Sequence, residues 1–397
     1  MRVSPRERLG RALLVVASLA VALAGLEIAL RIARHHRPPG YEAEEEARYT
    51  EYDPLLGWRK RPLSAVTYRR REYTVEVVIN RQGLRDVERE YAAPPGVSRV
   101  LALGDSFVEG YTVPLPQTVA QVLEASLRRD GRRVDVVNAG TSGYSTDQEY
   151  LFYATEGIRY SPRVVLLFFY YNDVLYNDRD RFAQQPKPLF ADREGRLELV
   201  RQRVPLPPPP RPERRPPPPR GSALLEWLHD RLLYGAPRAA QAGARLGLWE
   251  PIVRPRVPLE IRVYDRRPPD EITAAWTKTA DLLGALAREA SAHEARLLVV
   301  YVPNRFEVDP RAWELTRIAY DVDDTTWDRG AVCQRLTRIG AGYGFEVLDL
   351  TEPLRRDVHW WSGPYFDYDG HWNARGHSIA ARTLRDFLER PGWLPAS

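Results

Sequence analysis

Residues 99–110 read R-V-L-A-L-G-D-S-F-V-E-G. The apolar run 100–103 stops at Gly104, and Ser106 follows two residues later, so the serine stands where a buried strand breaks into a loop at its carboxyl end. In an open α/β sheet that is where sites form. Far along the chain, residues 365–377 read Y-F-D-Y-D-G-H-W-N-A-R-G-H, which sets Asp367 and Asp369 just ahead of His371 and then starts a helix. A serine hydroxyl is a weak nucleophile at neutral pH unless a neutral imidazole takes its proton and a carboxylate orients that imidazole. All three residue types are present, and the chemistry they could do together is acyl transfer through a covalent serine intermediate. The plainer readings are an Asp105-Ser106 helix cap and solvated turn carboxylates at 367 and 369. His377 is read as a helix residue facing core or solvent.

Two more strand ends lie between these stretches. Residues 134–146, V-D-V-V-N-A-G-T-S-G-Y-S-T, form a second strand running into a glycine-rich loop. Residues 163–173, R-V-V-L-L-F-F-Y-Y-N-D, form a third. With G-D-S-F early, N-A-G-T-S-G and Y-Y-N-D between, and D-G-H-W-N late, the chain resembles the SGNH hydrolases, also called the GDSL family of esterases and lipases, in their membrane-anchored bacterial form. The resemblance covers residues 100–173 and 297–382.

It implies a Ser106 nucleophile, a His371 base and an oxyanion hole made by the backbone N–H groups of Ser106 and Gly143 with the side-chain amide of Asn172. Two departures accompany it. The family's G-x-N-D glycine is replaced here by Tyr170, and its common D-x-x-H acid position is Tyr368. Asp369, two before the histidine, resembles the D-x-H variant of membrane-tethered and alginate-acetylating relatives, with Asp367 as the alternative acid. The implied activity is that of a serine esterase acting outside the cytoplasm on an acylated glycan, a lipid or a small ester, with no cofactor and no metal. The alternatives are a polysaccharide O-acetyltransferase and a non-catalytic glycan-binding protein that uses groove aromatics such as Trp360, Trp361 and Trp372. A metal-assisted site of Asp367, Asp369, His371 and His377 lacks any known ligand spacing.

Hydrophobic residues make up 44% of the 397 residues, enough to bury a large core, and the net charge of +5 is modest. Many of the arginines lie in the N-terminus and the proline-rich stretch, and no zinc-finger spacing or aromatic RNA-binding block accompanies them, so no nucleic-acid partner is expected. The single cysteine, Cys333, excludes an internal disulfide.

Residues 1–11 are arginine-rich and read as a cytoplasmic tail. Residues 12–26 form a charge-free, mostly apolar run of about 22 Å as a helix, and extension to residue 32 reaches the thickness of a bilayer. This is a membrane anchor or, if cut after Ala22-Leu23-Ala24, a secretory signal. The anchored reading places the catalytic domain in the periplasm or at the cell surface. Residues 33–96 are expected to be a linker and accessory hairpin, loop-like over 41–66 with a turn at 53–58, and with a strand over 73–79. Residues 97–390 are expected to form the hydrolase domain.

Strands at 100–103, 134–138, 164–170, 297–302 and 345–350 alternate with helices at 117–128, 146–157, 272–292 and 328–341. That alternation marks right-handed βαβ units and a parallel sheet, and with the resemblance it implies a flavodoxin-like three-layer α/β/α fold with five strands. An insertion over 174–270 interrupts it. It carries a proline-rich stretch at 204–220, read as a solvated extended loop, and a helix capped by Ser222. It follows the Asn172 block directly, where it could form a lid or a wall of the groove.

Overall fold

The computed structural model describes residues 4–35, 43–194, 196–208, 221–359 and 362–395. Five parallel strands make the main sheet: β1 (Ser98–Leu103), β2 (Val134–Asn138), β3 (Val164–Tyr170), β4 (Arg296–Val302) and β5 (Glu346–Asp349). Their spatial order is 2-1-3-4-5, the flavodoxin-like order. Val100 stands opposite Val136 on one side and Val164 on the other, and Val299 pairs with Leu167.

Both faces of the sheet are covered, which explains why its strands read as unbroken apolar runs rather than alternating ones. Successive side chains point to opposite faces. Leu101, Leu103, Val165, Leu167 and Phe169 join one core with Ile272, Trp276 and Leu283 of helix α3 (Asp270–Ala292) and with Leu336 of α4 (Ala331–Tyr343). Val100, Ala102, Leu166 and Phe168 join the other, with Leu123 and Leu127 of α1 (Val119–Arg129) and Ala380 and Leu384 of α5 (Ala374–Leu388). Helix α2 (Thr146–Thr155), between β2 and β3, completes the layers.

Residues 43–66 keep the turn expected at 53–58 but are otherwise more ordered than the loop expected there. A short helix, Ala43–Tyr49, leads into an antiparallel hairpin of Thr50–Asp53 with Gly57–Lys60, turned by Asp53, whose carboxylate accepts the N–H groups of Leu55 and Leu56 at 2.8 Å each. A local side chain-to-backbone bond of this kind builds a turn without a glycine run. A second hairpin pairs Ala65–Arg69 with Thr74–Val78 and buries Val66, Tyr68, Val75 and Val77 on one face.

The chain divides into two compact units. One, residues 40–211 and 253–397, holds the sheet and both hairpins. The other joins residues 1–39 to residues 212–252 of the insertion. It contains the helix Pro5–His35, whose segment Arg6–Ala33 is long and apolar enough to cross a membrane, and the helices Ala223–Gly235 and Pro237–Arg245. Ser222 caps the first of these by accepting the Leu225 N–H at 3.2 Å. Most of the proline-rich stretch lies outside the described residues.

Gly140, after β2, lets the backbone of residues 108 and 109 come within touching distance: a Cβ there would stand 2.3 Å from the Glu109 nitrogen and 2.6 Å from the Val108 carbonyl carbon. Replacing Gly140 by Ala is therefore expected to overpack this junction and lower stability by about 1–3 kcal/mol. The check is the urea midpoint, which should fall with an unchanged slope.

Candidate active site

Ser106 opens a four-residue helix, Ser106–Glu109, at the carboxyl end of β1. Asp105 caps it, its carboxylate accepting the Phe107 N–H at 2.9 Å. Burial pushes the Asp105 carboxyl up to about 6. Gly110 ends the helix in the left-handed conformation (φ 68°) that favours glycine. The buried Arg85 guanidinium then gathers the open carbonyls there, donating to Glu109 O at 2.8 Å, Gly110 O at 2.5 Å and Val113 O at 2.6 Å.

Ser106 Oγ lies 2.8 Å from His371 Nε2, and His371 Nδ1 lies 2.6 Å from Asp369 Oδ1. The carboxylate assigns the proton to Nδ1, which leaves the Nε2 lone pair facing the serine hydroxyl. Burial disfavours the imidazolium, but the hydrogen bond and charge of Asp369 outweigh it and hold His371 above its ordinary value. Burial likewise opposes ionised Asp369, and the bonds from His371 and Tyr73 overcome it and hold the carboxyl below its ordinary value. Asp367, the alternative acid, is instead ion-paired with Arg305. His377 lies in the core of α5 and accepts the Val119 N–H at Nδ1, 3.2 Å away. That bond removes it from a metal-binding group with His371.

The oxyanion-hole residues of the sequence reading occupy the loops on either side. In the order 2-1-3, the loop after β2 carries Gly143 and the residues after β3 carry Asn172, flanking the loop that carries Ser106. Gly143 has φ 77°, and a Cβ there would meet the Phe182 ring at 2.9 Å and Trp58 at 3.3 Å, so only glycine fits. Among the described residues, the backbone N–H groups of Ser106 and Gly143 have no hydrogen-bonded protein acceptor. Neither Gly143 nor Asn172 bonds to the Ser106–His371–Asp369 chain, and the Asn172 side-chain carbonyl is buried without a partner. Tyr170, in place of the family's glycine, packs its ring 4.8 Å from that of Phe107, and its hydroxyl accepts Asn304 Nδ2 at 3.2 Å.

Trp372 corrects an expectation. It is fully buried against Phe107 and Phe168, so it cannot serve as a groove aromatic for a glycan. Trp360 and Trp361 lie outside the described residues.

The sequence reading missed the residues that brace the site from the hairpins. Tyr73 donates its hydroxyl to the second Asp369 oxygen at 2.7 Å. The Glu72 carboxylate accepts the N–H groups of Asp367, Tyr368 and Asp369 at 2.7, 2.9 and 2.9 Å. Glu109, at the end of the Ser106 helix, accepts Ser142 N at 2.7 Å and Ser142 Oγ at 2.6 Å and pairs with Lys60 Nζ at 2.8 Å, the two charged side chains being buried. Trp58 Nε1 donates to Ser142 O at 3.1 Å. The sequence offered a turn at 53–58 and an alternating strand at 73–79 in this region, but nothing in it ties either to residues 142 or 369.

The sequence model of the GDSL-like Lipase/Acylhydrolase family matches residues 102–243, a stretch that includes Ser106, Gly143 and Asn172. Over that stretch the sequence is similar to the GDSL-like lipases/acylhydrolases. No curated protein matches it. Solved structures similar to it include a lipase/acylhydrolase from Enterococcus faecalis (12% identity, 76% of this chain and 98% of that one, TM-score 0.39). A catalytic mutant of an acetylxylan esterase from Geobacillus stearothermophilus is another (12%, 76% and 97%, 0.36). A third is a psychrotrophic esterase from Pseudoalteromonas (11%, 74% and 97%, 0.35).

Removing Lys60 leaves the buried Glu109 carboxylate without its cation. Lys60→Met is expected to cost about 3–5 kcal/mol of stability. Adding Glu109→Gln should return part of that loss, because the unpaired charge is gone; chemical denaturation of the single and double variants measures both.

Proposed function

We propose that this GDSL-like acylhydrolase is a serine-dependent carboxylic ester hydrolase in which Ser106, His371 and Asp369 act as a catalytic triad. The observation that carries this reading is the continuous chain from Ser106 Oγ through His371 to Asp369, at 2.8 and 2.6 Å, within hydrogen-bond reach for proton transfer.

His371 takes the Ser106 proton as the oxygen attacks an ester carbonyl. The resulting oxyanion is held by the Ser106 and Gly143 N–H groups and the Asn172 amide. Asp369 keeps the imidazole in the tautomer that presents Nε2 and stabilises the imidazolium as it forms. His371 then returns its proton to the leaving alkoxide, and water, activated by the same histidine, releases the acid. The apolar helix Pro5–His35 anchors the chain in a membrane with the catalytic unit outside the cytoplasm, and the substrate is an acylated glycan or lipid of the cell envelope.

Two outcomes are expected of the full-length chain in detergent, assayed for release of p-nitrophenol from its acetyl ester. Ser106→Ala and His371→Ala should each lower turnover by at least about a thousandfold while leaving the fold intact by circular dichroism; activity retained in either variant would end the triad reading. The second concerns pH. Only neutral His371 accepts the proton, so kcat/KM should fall as pH drops through its pKa, and because Asp369 holds that value up, the acid limb should lie above about 6.5. In Asp369→Asn, burial is opposed only by the charge of Asp105, and the limb should move to lower pH while turnover falls on the order of ten-thousand-fold.

A further inference from the structure

The unit that contains the apolar helix is larger than an anchor requires. Within it, Glu27 of helix Pro5–His35 accepts Ser222 Oγ at 2.8 Å, Ala223 N at 3.0 Å and Leu224 N at 2.9 Å, and also pairs with Arg31 at 2.6 Å. The first N–H groups of a helix have no partner inside it, and here a carboxylate of the spanning helix supplies one to helix Ala223–Gly235. The seam sits at the carboxyl-terminal end of the apolar run, where Glu27 and Leu30 are only half-buried while the residues before them are exposed.

Helix Pro237–Arg245 follows at once, and the pair closes on Trp249. The indole nitrogen donates to Ala240 O at 2.7 Å, its ring lies 5.0 Å from that of His229, and a Cβ on Gly243 would stand 2.1 Å from it. That closure leaves Leu225, Trp227, Leu228, Leu246 and Leu248 facing outward, from 36% to 78% exposed. Arg231, Arg238 and Arg245 lie between Leu228 and Leu246 in the sequence. Five large apolar side chains left exposed on one hairpin point to an interaction surface, and leucine and tryptophan alongside arginine is the composition of a helix lying in a membrane interface.

We propose that residues 222–249 form an interfacial hairpin, docked on the retained N-terminal helix, whose outward apolar side chains lie in the lipid bilayer. The proposal rests on the anchor reading given above. A bilayer rather than a second copy is the occupant because the same unit already exposes the apolar surface of the spanning helix, with Leu14, Val16, Leu19 and Ile28 at 58–71%. The seam starts the hairpin at the end of that surface, where Glu27 and Arg31 stand. A cut after Ala24 would leave two residues ahead of Glu27 and remove the helix on which the hairpin is built.

The test uses the full chain with Cys333→Ser, reconstituted in vesicles of phosphatidylcholine and phosphatidylglycerol, with one nitroxide label at a time on Leu246→Cys, Leu19→Cys or Val78→Cys. These three side chains are exposed, so labelling should leave the fold intact. The labels at 246 and 19 are expected to be severalfold more accessible to oxygen than to a water-soluble nickel chelate, and the label at 78 the reverse. A label at 246 that is open to the chelate, with the one at 19 still in lipid, would overturn the hairpin and leave the anchor standing. A label at 246 shielded from both agents would also overturn it, as the mark of a contact with protein such as a second copy. If the label at 19 also meets the chelate, the anchor reading falls, and the hairpin with it. Mass spectrometry of the membrane-extracted chain should find residues 1–24 retained; their loss would overturn the proposal.

Discussion

Glu109 has no exposure to water, and its carboxylate is the point at which three separate stretches of chain are tied together. It sits on the helix that begins with Ser106, accepts two bonds from Ser142 beside Gly143, and is neutralised by Lys60 of the first hairpin. The Tyr49 hydroxyl adds a fourth contact at 3.2 Å. Burial alone would raise this carboxyl, but Lys60 and Ser142 hold it below its ordinary value. An ion pair so enclosed stabilises the fold little when compared with apolar residues of similar size, but breaking it is costly. Its consequence is positional: the loop carrying Gly143 cannot move away from the helix carrying Ser106 without stranding a buried charge.

A parallel arrangement holds the other half of the site. The loop carrying Asp369 and His371 is 265 residues from the serine in sequence, and its local turn is tightened by Glu72 and Tyr73 from the second hairpin. Phe107 closes the space between, its ring 4.8 Å from both Tyr170 and His371 and 5.1 Å from Trp372. The segment before β1 is thus a structural part of the site. Its N-R-Q-G-L-R-D stretch, residues 80–86, supplies Arg85 beneath the serine helix and Asp86, whose carboxylate accepts the Asn138 N–H at 3.1 Å.

The main sheet was legible because strands buried on both faces must be apolar throughout, and the runs at 134–138 and 164–170 coincide with β2 and β3 to the residue. Ser106, Asp369 and His371 could be picked out as candidates because the proposed chemistry demands particular types next to strand ends and turns, and the structure brings the three into one hydrogen-bonded chain. Glu72, Tyr73, Lys60 and Glu109 were not, since an isolated charge or tyrosine in sequence looks the same whether it faces water or braces a loop. Of the first hairpin, the turn at 53–58 was legible, but its four-residue strands are too short to show a period. In the insertion, the helix after Ser222 was readable from its cap and leucines, but its partner Glu27 belongs to a segment whose composition speaks only of a membrane.

The measurement that bears most directly on the central claim is covalent labelling of the full-length protein with a serine-directed fluorophosphonate, followed by intact-mass analysis and peptide mapping. An esterase built on a His371-activated Ser106 should take up one adduct, mapped to Ser106, with a labelling rate that falls as His371 becomes protonated and is largely lost in His371→Ala. A folded protein that remains unlabelled, or one that is labelled on a different serine, would contradict the account.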